Sequence, residues 1–465
     1  MATPITGETK VAPGGKTPPG PRGGMLLGSV RDFRRDSLGF LADVARRYGD
    51  VTRYRMANMT WYQVNHPEGV RRILQQNNHN YGKGTLTKRV IGPISGEGLF
   101  TSEGETWLRQ RRLMQPVFHR QRVAAFGELM TGATLAMLDR WEPLVDAGTS
   151  IDLPAEMALL TLDIATETLF SSHVGEEPDV IARAVTTLIS DVSFRFEVPY
   201  YPPVRVPTPY NRRVRSALRT LDRAVYRIIE ERRRVRGGGG DLLALLMDAR
   251  DEETGEAMGD KQLRDEVITL FIAGHETTAN ALAWTFYLLA RNPEAEHRLQ
   301  AELASALGTN GSTRPPAVAD LPQLPYTRMV VEETMRLYPP AWITNRQAHA
   351  DDEILGYHIP AGAFVMISPY VLHRHPAYWK LPEKFDPERF SPEHPEDRPR
   401  YAYFPFGGGP RQCIGKDMAL VEARLILATV AGRYRLRLVH DRPVEPEALA
   451  TLRPHGGLPM IPEGV

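Results

Sequence analysis

Phe404-Pro405-Phe406-Gly407-Gly408-Gly409-Pro410-Arg411-Gln412-Cys413-Ile414-Gly415 holds the only cysteine of a 465-residue chain and leads into an apolar helical run, Met418 to Val430. Three consecutive glycines let a backbone approach a flat partner closely and adopt conformations closed to other residues. The helix that follows sets Cys413 beside a positive dipole end with unpaired N–H groups, which lower a thiol pKa. A thiolate there can ligate a soft or borderline metal. Zinc and iron–sulfur sites need several protein ligands, and no other Cys or His stands at suitable spacing. A haem iron needs only one. The bland alternative is that Cys413 is a small buried hydrophobe, the usual state of a lone cysteine.

The surroundings decide against that alternative. Phe406, Gly409, Arg411, Cys413 and Gly415 spell Phe-x-x-Gly-x-Arg-x-Cys-x-Gly, which resembles the haem-ligand loop of the cytochromes P450. Three further stretches match in the family's order: Trp107-Leu108-Arg109-Gln110-Arg111 is similar to its haem clamp, Ala273-Gly274-His275-Glu276-Thr277-Thr278 to its oxygen-activating helix, and Glu333-Thr334-Met335-Arg336 to its Glu-x-x-Arg pair. The resemblance runs from about Pro18 to near the C-terminus. It implies a mainly α protein of the cytochrome P450 fold, a large helical body with a small β-sheet portion. The cofactor implied is haem b (iron protoporphyrin IX), with Cys413 as the metal ligand and Trp107, Arg111, Ala273, Arg346, Phe406, Arg411 and Cys413 as the binding residues. Arg346, in Asn345-Arg346-Gln347, rests on the loosest motif. Arg forks match propionate carboxylates bidentately, which suits Arg111, Arg346 and Arg411, and the Trp107 indole N–H is a fourth donor.

Each match also has a physical reading. A glycine in mid-helix costs about 1 kcal/mol relative to alanine, so Gly274 suggests that something passes close to the backbone, molecular oxygen being the candidate. Thr277 offers a hydroxyl that can hold a proton network, and Glu276 can relay protons as a general acid; these two are the catalytic candidates. Against that stands a structural reading, in which the acid is satisfied by a salt bridge and the threonine bonds back to its own helix. Glu333 and Arg336, three residues apart, read either as a surface pair or, by resemblance, as a buried triad with Arg389 that braces the ligand loop.

The helix carrying Glu276 spans Asp260 to Asn292, with Asp260 as its expected N-cap and Asn292-Pro293 as its stop. It is apolar nearly all round, yet an acid at mid-membrane costs about 2.5–3.5 kcal/mol, so it reads as a core helix rather than a membrane span. Other helices are expected near 104–145, 155–170, 178–193, 211–236, 241–250 and Tyr326–Leu337. Strands are expected at Val51–Met56, Thr60–Val64, Ile354–Ile359, Phe364–Ile367 and around Tyr434–Leu438. The tetraglycine Gly237–Gly240 reads as a surface loop and the arginines before it as a solvated helix face.

Composition sets the outer limits. Apolar residues make up 42%, charged residues 24%, and 57 basic side chains face 56 acidic ones, which disfavours a nucleic-acid binder driven by overall charge. One cysteine allows no intrachain disulfide, which fits a reducing cytoplasm. Residues 1–24 are rich in proline and glycine and carry no apolar stretch of signal-peptide length, so they read as a flexible lead-in without a membrane anchor, ahead of a single domain over 25–465.

A thiolate ligand pushes electron density toward O–O cleavage, so the expected activity is a monooxygenase inserting one oxygen atom of O2 into an unreactive bond. No dinucleotide-binding fingerprint appears before the end at Val465, so electrons are expected from a separate ferredoxin or flavodoxin with its reductase. A run of arginines without an acid, Arg109, Arg111, Arg112, Arg120 and Arg122, marks a docking face for such an acidic protein. Leu86, Val90, Ile91 and Ile94, then Phe194, Phe196, Val198, Tyr200 and Tyr201, then Ala341, Trp342 and Ile343 resemble pocket-lining segments. They suggest an apolar fatty acid, terpenoid or steroid. The competing readings are a peroxide-driven peroxygenase, which does not need the acid–hydroxyl pair, and a non-catalytic haem sensor.

Overall fold

A computed structural model describes residues 15–170, 178–198, 201–234, 241–308, 314–393 and 397–465. Gly237–Gly240, Tyr200 and the Phe196 side chain lie outside what is described. The chain forms two compact units. The first comprises residues up to Thr87 with Trp342–Pro382 and Arg398–Gln412, the second Lys88–Ala341, Glu383–Asp397 and Cys413–Val465.

The first unit is built on a five-stranded sheet in the order Val51–Met56, Met59–Val64, Phe364–Ile367, Thr344–Ala348, Tyr81–Gly82. The hairpin closes with Met56 opposite Met59, so its turn is Ala57-Asn58 and the second strand starts one residue earlier than its β-branched run suggests. Val64 pairs with Ile367 and Tyr62 with Val365 in the sheet's parallel ladder, and all four are buried. Part of the proline-rich lead-in pairs with strands of this unit: Lys16 bridges Tyr357, outside the five-stranded sheet, and the Arg53 N–H, within it, donates to the Pro19 carbonyl at 2.8 Å. Ile354–Ile359, expected as one strand, is instead a hairpin, Asp352–Ile354 against Tyr357–Ile359. Leu355 (φ 52°) and Gly356 (φ 80°) make the turn, and a leucine in the left-handed region carries no turn signature that sequence would reveal.

The second unit is helical. At its core runs the helix Asp260–Arg291, packed on Leu153–Phe170, Pro209–Arg234, Pro325–Leu337 and Lys416–Ala431. Val267, Leu282, Ala283 and Trp284 on it are fully buried, as its all-round apolar sequence requires. Its cap is Gly259; Asp260 is the first helical residue, where its charge complements the dipole and pairs with Arg233. The expected helix 104–145 is broken into Gly104–Met114, a 3-10 turn Gln115–Phe118, Arg120–Ala125 and Gly127–Asp146. Pro116 lacks an N–H and starts the tightened turn, after which His119 is extended. A three-stranded sheet, Ile151–Asp152, Pro459–Gly464, Tyr434–Leu438, and a hairpin, Pro446–Ala448 with Leu452–Pro454, complete the unit. Among the described residues no helix is long and apolar enough to cross a membrane.

Candidate active site

The glycines of the ligand loop have separate tasks. A Cβ on Gly409 (φ 65°) would stand 1.7 Å from the Leu74 carbonyl oxygen, and one on Gly408 would meet the Tyr401 ring at 2.4 Å. These two therefore serve close packing within the protein. Of the three consecutive glycines only Gly407 (φ 68°) faces open space, which suits the expected approach of a flat partner. The loop is further held by the Phe404 N–H, which donates to His373 Nε2 at 2.9 Å, and by Gln412 N–H on the Gly409 carbonyl at 3.1 Å.

Cys413 is accessible at its own surface, immediately before the helix Lys416–Ala431, which Gly415 caps. It is therefore not the buried hydrophobe of the bland reading. The surrounding protein pushes its thiol pKa up, although the Gly415 N–H and the charges of Arg111 and Lys416 pull the other way. The expected lowering is present as a contribution and is outweighed by desolvation. Arg111 and Trp107 lie one turn apart on Gly104–Met114, both half-buried, hence on the same face. Burial lowers the Arg111 pKa and Cys413 opposes that, so the two residues act on each other. In the first unit Arg346 is buried, donating to Thr344 Oγ1 at 3.0 Å and to the Asn345 carbonyl at 2.8 Å, and Phe406 and Arg411 are half-buried.

The helix Asp260–Arg291 changes character at one place. Ala273 and Gly274 are exposed between stretches of buried residues, and a Cβ on Gly274 would meet nothing within 4 Å. Thr277, next to this opening, donates its hydroxyl hydrogen to the Ala273 carbonyl at 2.7 Å, the back-bonding weighed above. Its oxygen retains acceptor capacity. Burial raises the Glu276 pKa, opposed by a hydrogen bond with Thr451 and by the Arg453 charge. Sequence reasoning missed Thr451, Arg453 and Asn280, whose amide donates to Thr451 Oγ1 at 3.0 Å across 171 chain positions. Only the i, i+4 spacing of Glu276 and Asn280 was there to be noticed. His275, the residue before Glu276, is buried and its pKa falls to about 4, so it is neutral near pH 7.

Glu333 and Arg336 are not a surface pair: both are fully buried. Arg336 Nε and Nη2 grip the Glu333 carboxylate at 2.7 and 2.8 Å, and Arg389 Nε lies 3.4 Å from it. Arg336 also donates to the Lys384 carbonyl at 3.0 Å, and the Asp386 N–H donates to Glu333 at 2.9 Å. The triad thus fastens the Asp386–Phe390 turn to the helix Pro325–Leu337.

The arginine run is largely compensated. Arg109 pairs with Glu256, Arg112 with Asp251 and Glu253, and Arg120 with Asp417, so it is a poor beacon for an acidic partner. Among the expected lining residues Val90, Ile94 and Trp342 are packed in the core. Phe194 joins Tyr201 and Tyr210 in a three-ring cluster with centroids 4.7–5.5 Å apart.

The family model described as Cytochrome P450 matches residues 18–458. The chain belongs to this family. Cyclooctatin synthase of Streptomyces melanosporofaciens is 38% identical over 445 residues, covering 95% of each chain. The cyclooctat-9-en-7-ol 5-monooxygenase of the same organism is 38% identical over 89% of this chain and 88% of its own. Pentalenene oxygenase of Streptomyces avermitilis is 35% identical over 92% and 93%. The crystal structure of the cytochrome P450DA heme domain superposes with a TM-score of 0.88 at 26% identity, covering 97% of this chain and 98% of that one. This P450 is therefore an enzyme, a monooxygenase of the haem-thiolate type. Its residues fit that cofactor: an exposed Cys413 just ahead of the helix that Gly415 caps, and an opening at Ala273–Gly274.

Proposed function

We propose that this P450 oxidises a cyclic terpenoid hydrocarbon or its mono-alcohol, by hydroxylation or epoxidation, with O2 and electrons from a separate ferredoxin or flavodoxin and its reductase. Three relatives carry the substrate class in their names. The observation that carries the chemistry is the accessible Cys413 sulfur within the electrostatic reach of Arg111. In this reading the cofactor is haem b; Cys413 ligates its iron, Trp107, Arg111, Arg346 and Arg411 donate to its carboxylates, and Phe406 and Ala273 border it.

When bound, a haem with a thiolate ligand activates O2 and favours O–O cleavage. The protein's own task is to admit an apolar substrate and to deliver protons singly. Gly274 leaves room beside the helix backbone for a small molecule. Thr277 keeps its hydroxyl oxygen fixed by donating to Ala273, so that a water or oxygen species can donate to it. Burial raises the Glu276 pKa above the usual carboxylate range, which suits an acid that takes up and releases a proton. The acid–hydroxyl pair favours the monooxygenase over a peroxygenase or a haem sensor.

The test is a spectral titration of the purified haem protein with a panel of cyclic terpenes, terpene mono-alcohols, fatty acids and steroids. A saturable shift of the haem spectrum with cyclic terpenoids, with O2-dependent product when a ferredoxin and its reductase are added, supports the reading. A response confined to fatty acids or steroids would replace the substrate class. Product formed only with added peroxide would replace the reaction.

A further inference from the structure

Residues 24–28 form a tip that the first unit builds rigidly and leaves bare. Met25, Leu26 and Leu27 are 92%, 82% and 56% exposed, three consecutive large apolar side chains facing water. Gly24 and Gly28 exchange N–H to carbonyl bonds of 2.8 Å in both directions, which closes the loop. Glycine is required at Gly28 (φ 60°), where a Cβ would stand 2.1 Å from the Arg55 carbonyl oxygen. The Arg55 guanidinium reaches across from the strand Val51–Met56 and donates to the carbonyls of Gly24 at 2.7 Å, Leu26 at 2.9 Å and Met25. The Leu27 carbonyl accepts from the Ala57 N–H at 3.0 Å. All five carbonyls of the tip are therefore bonded within the protein.

That accounting decides what the tip suits. A backbone acceptor stripped of water without a partner is costly, so a loop that enters an apolar phase must satisfy its carbonyls first. Here they are satisfied before any contact, while the side chains stand unpacked. Single exposed hydrophobes are ordinary, but three in succession on a clamped turn form a patch. The charge around it is one-sided: residues 15–36 and the hairpin 51–64, which together build the tip, carry seven cations against two acids. One of the acids, Asp36, already accepts from the Gly39 N–H at 2.8 Å. Arg22, Arg31, Arg34 and Arg35 are exposed and make no ion pair among the described residues, in contrast to the compensated run at Arg109–Arg120. A stable protein interface takes about 20–30 residues a side, whereas a lipid surface needs only a few apolar side chains and a basic surround.

We propose that the Gly24–Gly28 tip is a peripheral docking element for an anionic lipid surface, its three apolar side chains entering the acyl boundary while Arg22, Arg31, Arg34 and Arg35 meet the headgroups. Docking brings the enzyme to the phase in which apolar terpenoids dissolve; that consequence, not the docking itself, rests on the proposed substrate class.

The test uses the intact holoenzyme with vesicles of phosphatidylcholine alone or mixed equally with phosphatidylglycerol, and measures co-flotation. Wild type should float with the mixed vesicles, and less so at 1 M salt, where the Debye length falls to about 3 Å. Met25→Ser and Leu26→Ser should each weaken partitioning about tenfold, the loss of one buried apolar side chain. Arg34→Gln and Arg35→Gln should each weaken it about fivefold, on the mixed vesicles only. Leu26→Trp should add fluorescence that lipids brominated along their acyl chains quench. These positions are exposed, so the reduced carbon monoxide spectrum and the thermal midpoint should stay at wild-type values in every variant. Failure to float with the mixed vesicles, or flotation unchanged by both serine variants, overturns the proposal. So does an unquenched tryptophan, which would leave adsorption by charge alone. Self-association or redox-partner affinity lost in the serine variants, without flotation, would reassign the tip to a protein. Every readout is binding, so the outcome is independent of the substrate class.

Discussion

The Thr277 hydroxyl donates to the Ala273 carbonyl one turn back, at 2.7 Å, beside the one opening in the buried part of its helix. The bond commits the hydroxyl hydrogen and leaves the oxygen to accept, which suits a group that steadies a proton donor.

Thr277→Ala should therefore fold and bind substrate as wild type, since back-bonding adds little to a helix and alanine is a better helix former. Product per electron consumed should drop about tenfold or more, with the difference appearing as free hydrogen peroxide. Reductant, peroxide and product are measured together. Unchanged coupling would show that the hydroxyl is only a helix feature.

Cys413→Ala should abolish the red-shifted Soret band that thiolate-ligated haem shows when reduced with carbon monoxide. The sulfur is accessible and no second cysteine exists to replace it. Retention of that band in the alanine variant would remove Cys413 as the ligand.

Glu333→Ala should destabilise the protein by about 3–5 kcal/mol, because it strands the buried guanidinium of Arg336 and frees the Asp386 N–H. Chemical denaturation of the holoenzyme reads this directly. A loss below about 1 kcal/mol would place the triad among exposed pairs, whose contribution is small.

Glu422, buried on Lys416–Ala431, has its pKa pushed by burial from 4.5 to about 8. The folded state holds this proton over a range where the unfolded chain has released it, so the stability it allows is full below pH 4.5 and is lost as pH rises toward about 8. Glu422→Gln should therefore stabilise the protein at neutral pH, and the gain over wild type should shrink to nothing as pH falls to about 4.5. Denaturation midpoints at several pH values check this; a gain independent of pH would contradict it.

Arg112 illustrates a charge that sequence misrepresents. Its neighbours in the chain are basic, but Asp251 and Glu253 reach it from a distant loop, and the apparent patch is largely neutralised. Leu355 likewise looks like the middle of a strand, and only the pairing of Ile354 with Tyr357 makes it a turn. Both errors have one cause: a local window records composition, whereas charge and backbone conformation are settled by partners far along the chain.

What the sequence determined alone was the chemistry whose parts lie within a few residues of one another. The loop ending in Cys413, the run from Ala273 to Thr278 and the Glu333–Arg336 pair each carry spacing, glycine placement and residue type in one short segment, and a helix period converts that spacing into a shared face. The long helix Asp260–Arg291 was legible for the same reason, its apolar run being continuous. Only the tertiary structure decided that Gly408 and Gly409 accommodate Tyr401 and Leu74, that desolvation by the surrounding protein outweighs the cations around Cys413, and that Asn280 meets Thr451 across 171 chain positions. Those outcomes depend on which atoms are near in space and how much water they exclude, and neither is a function of sequence distance.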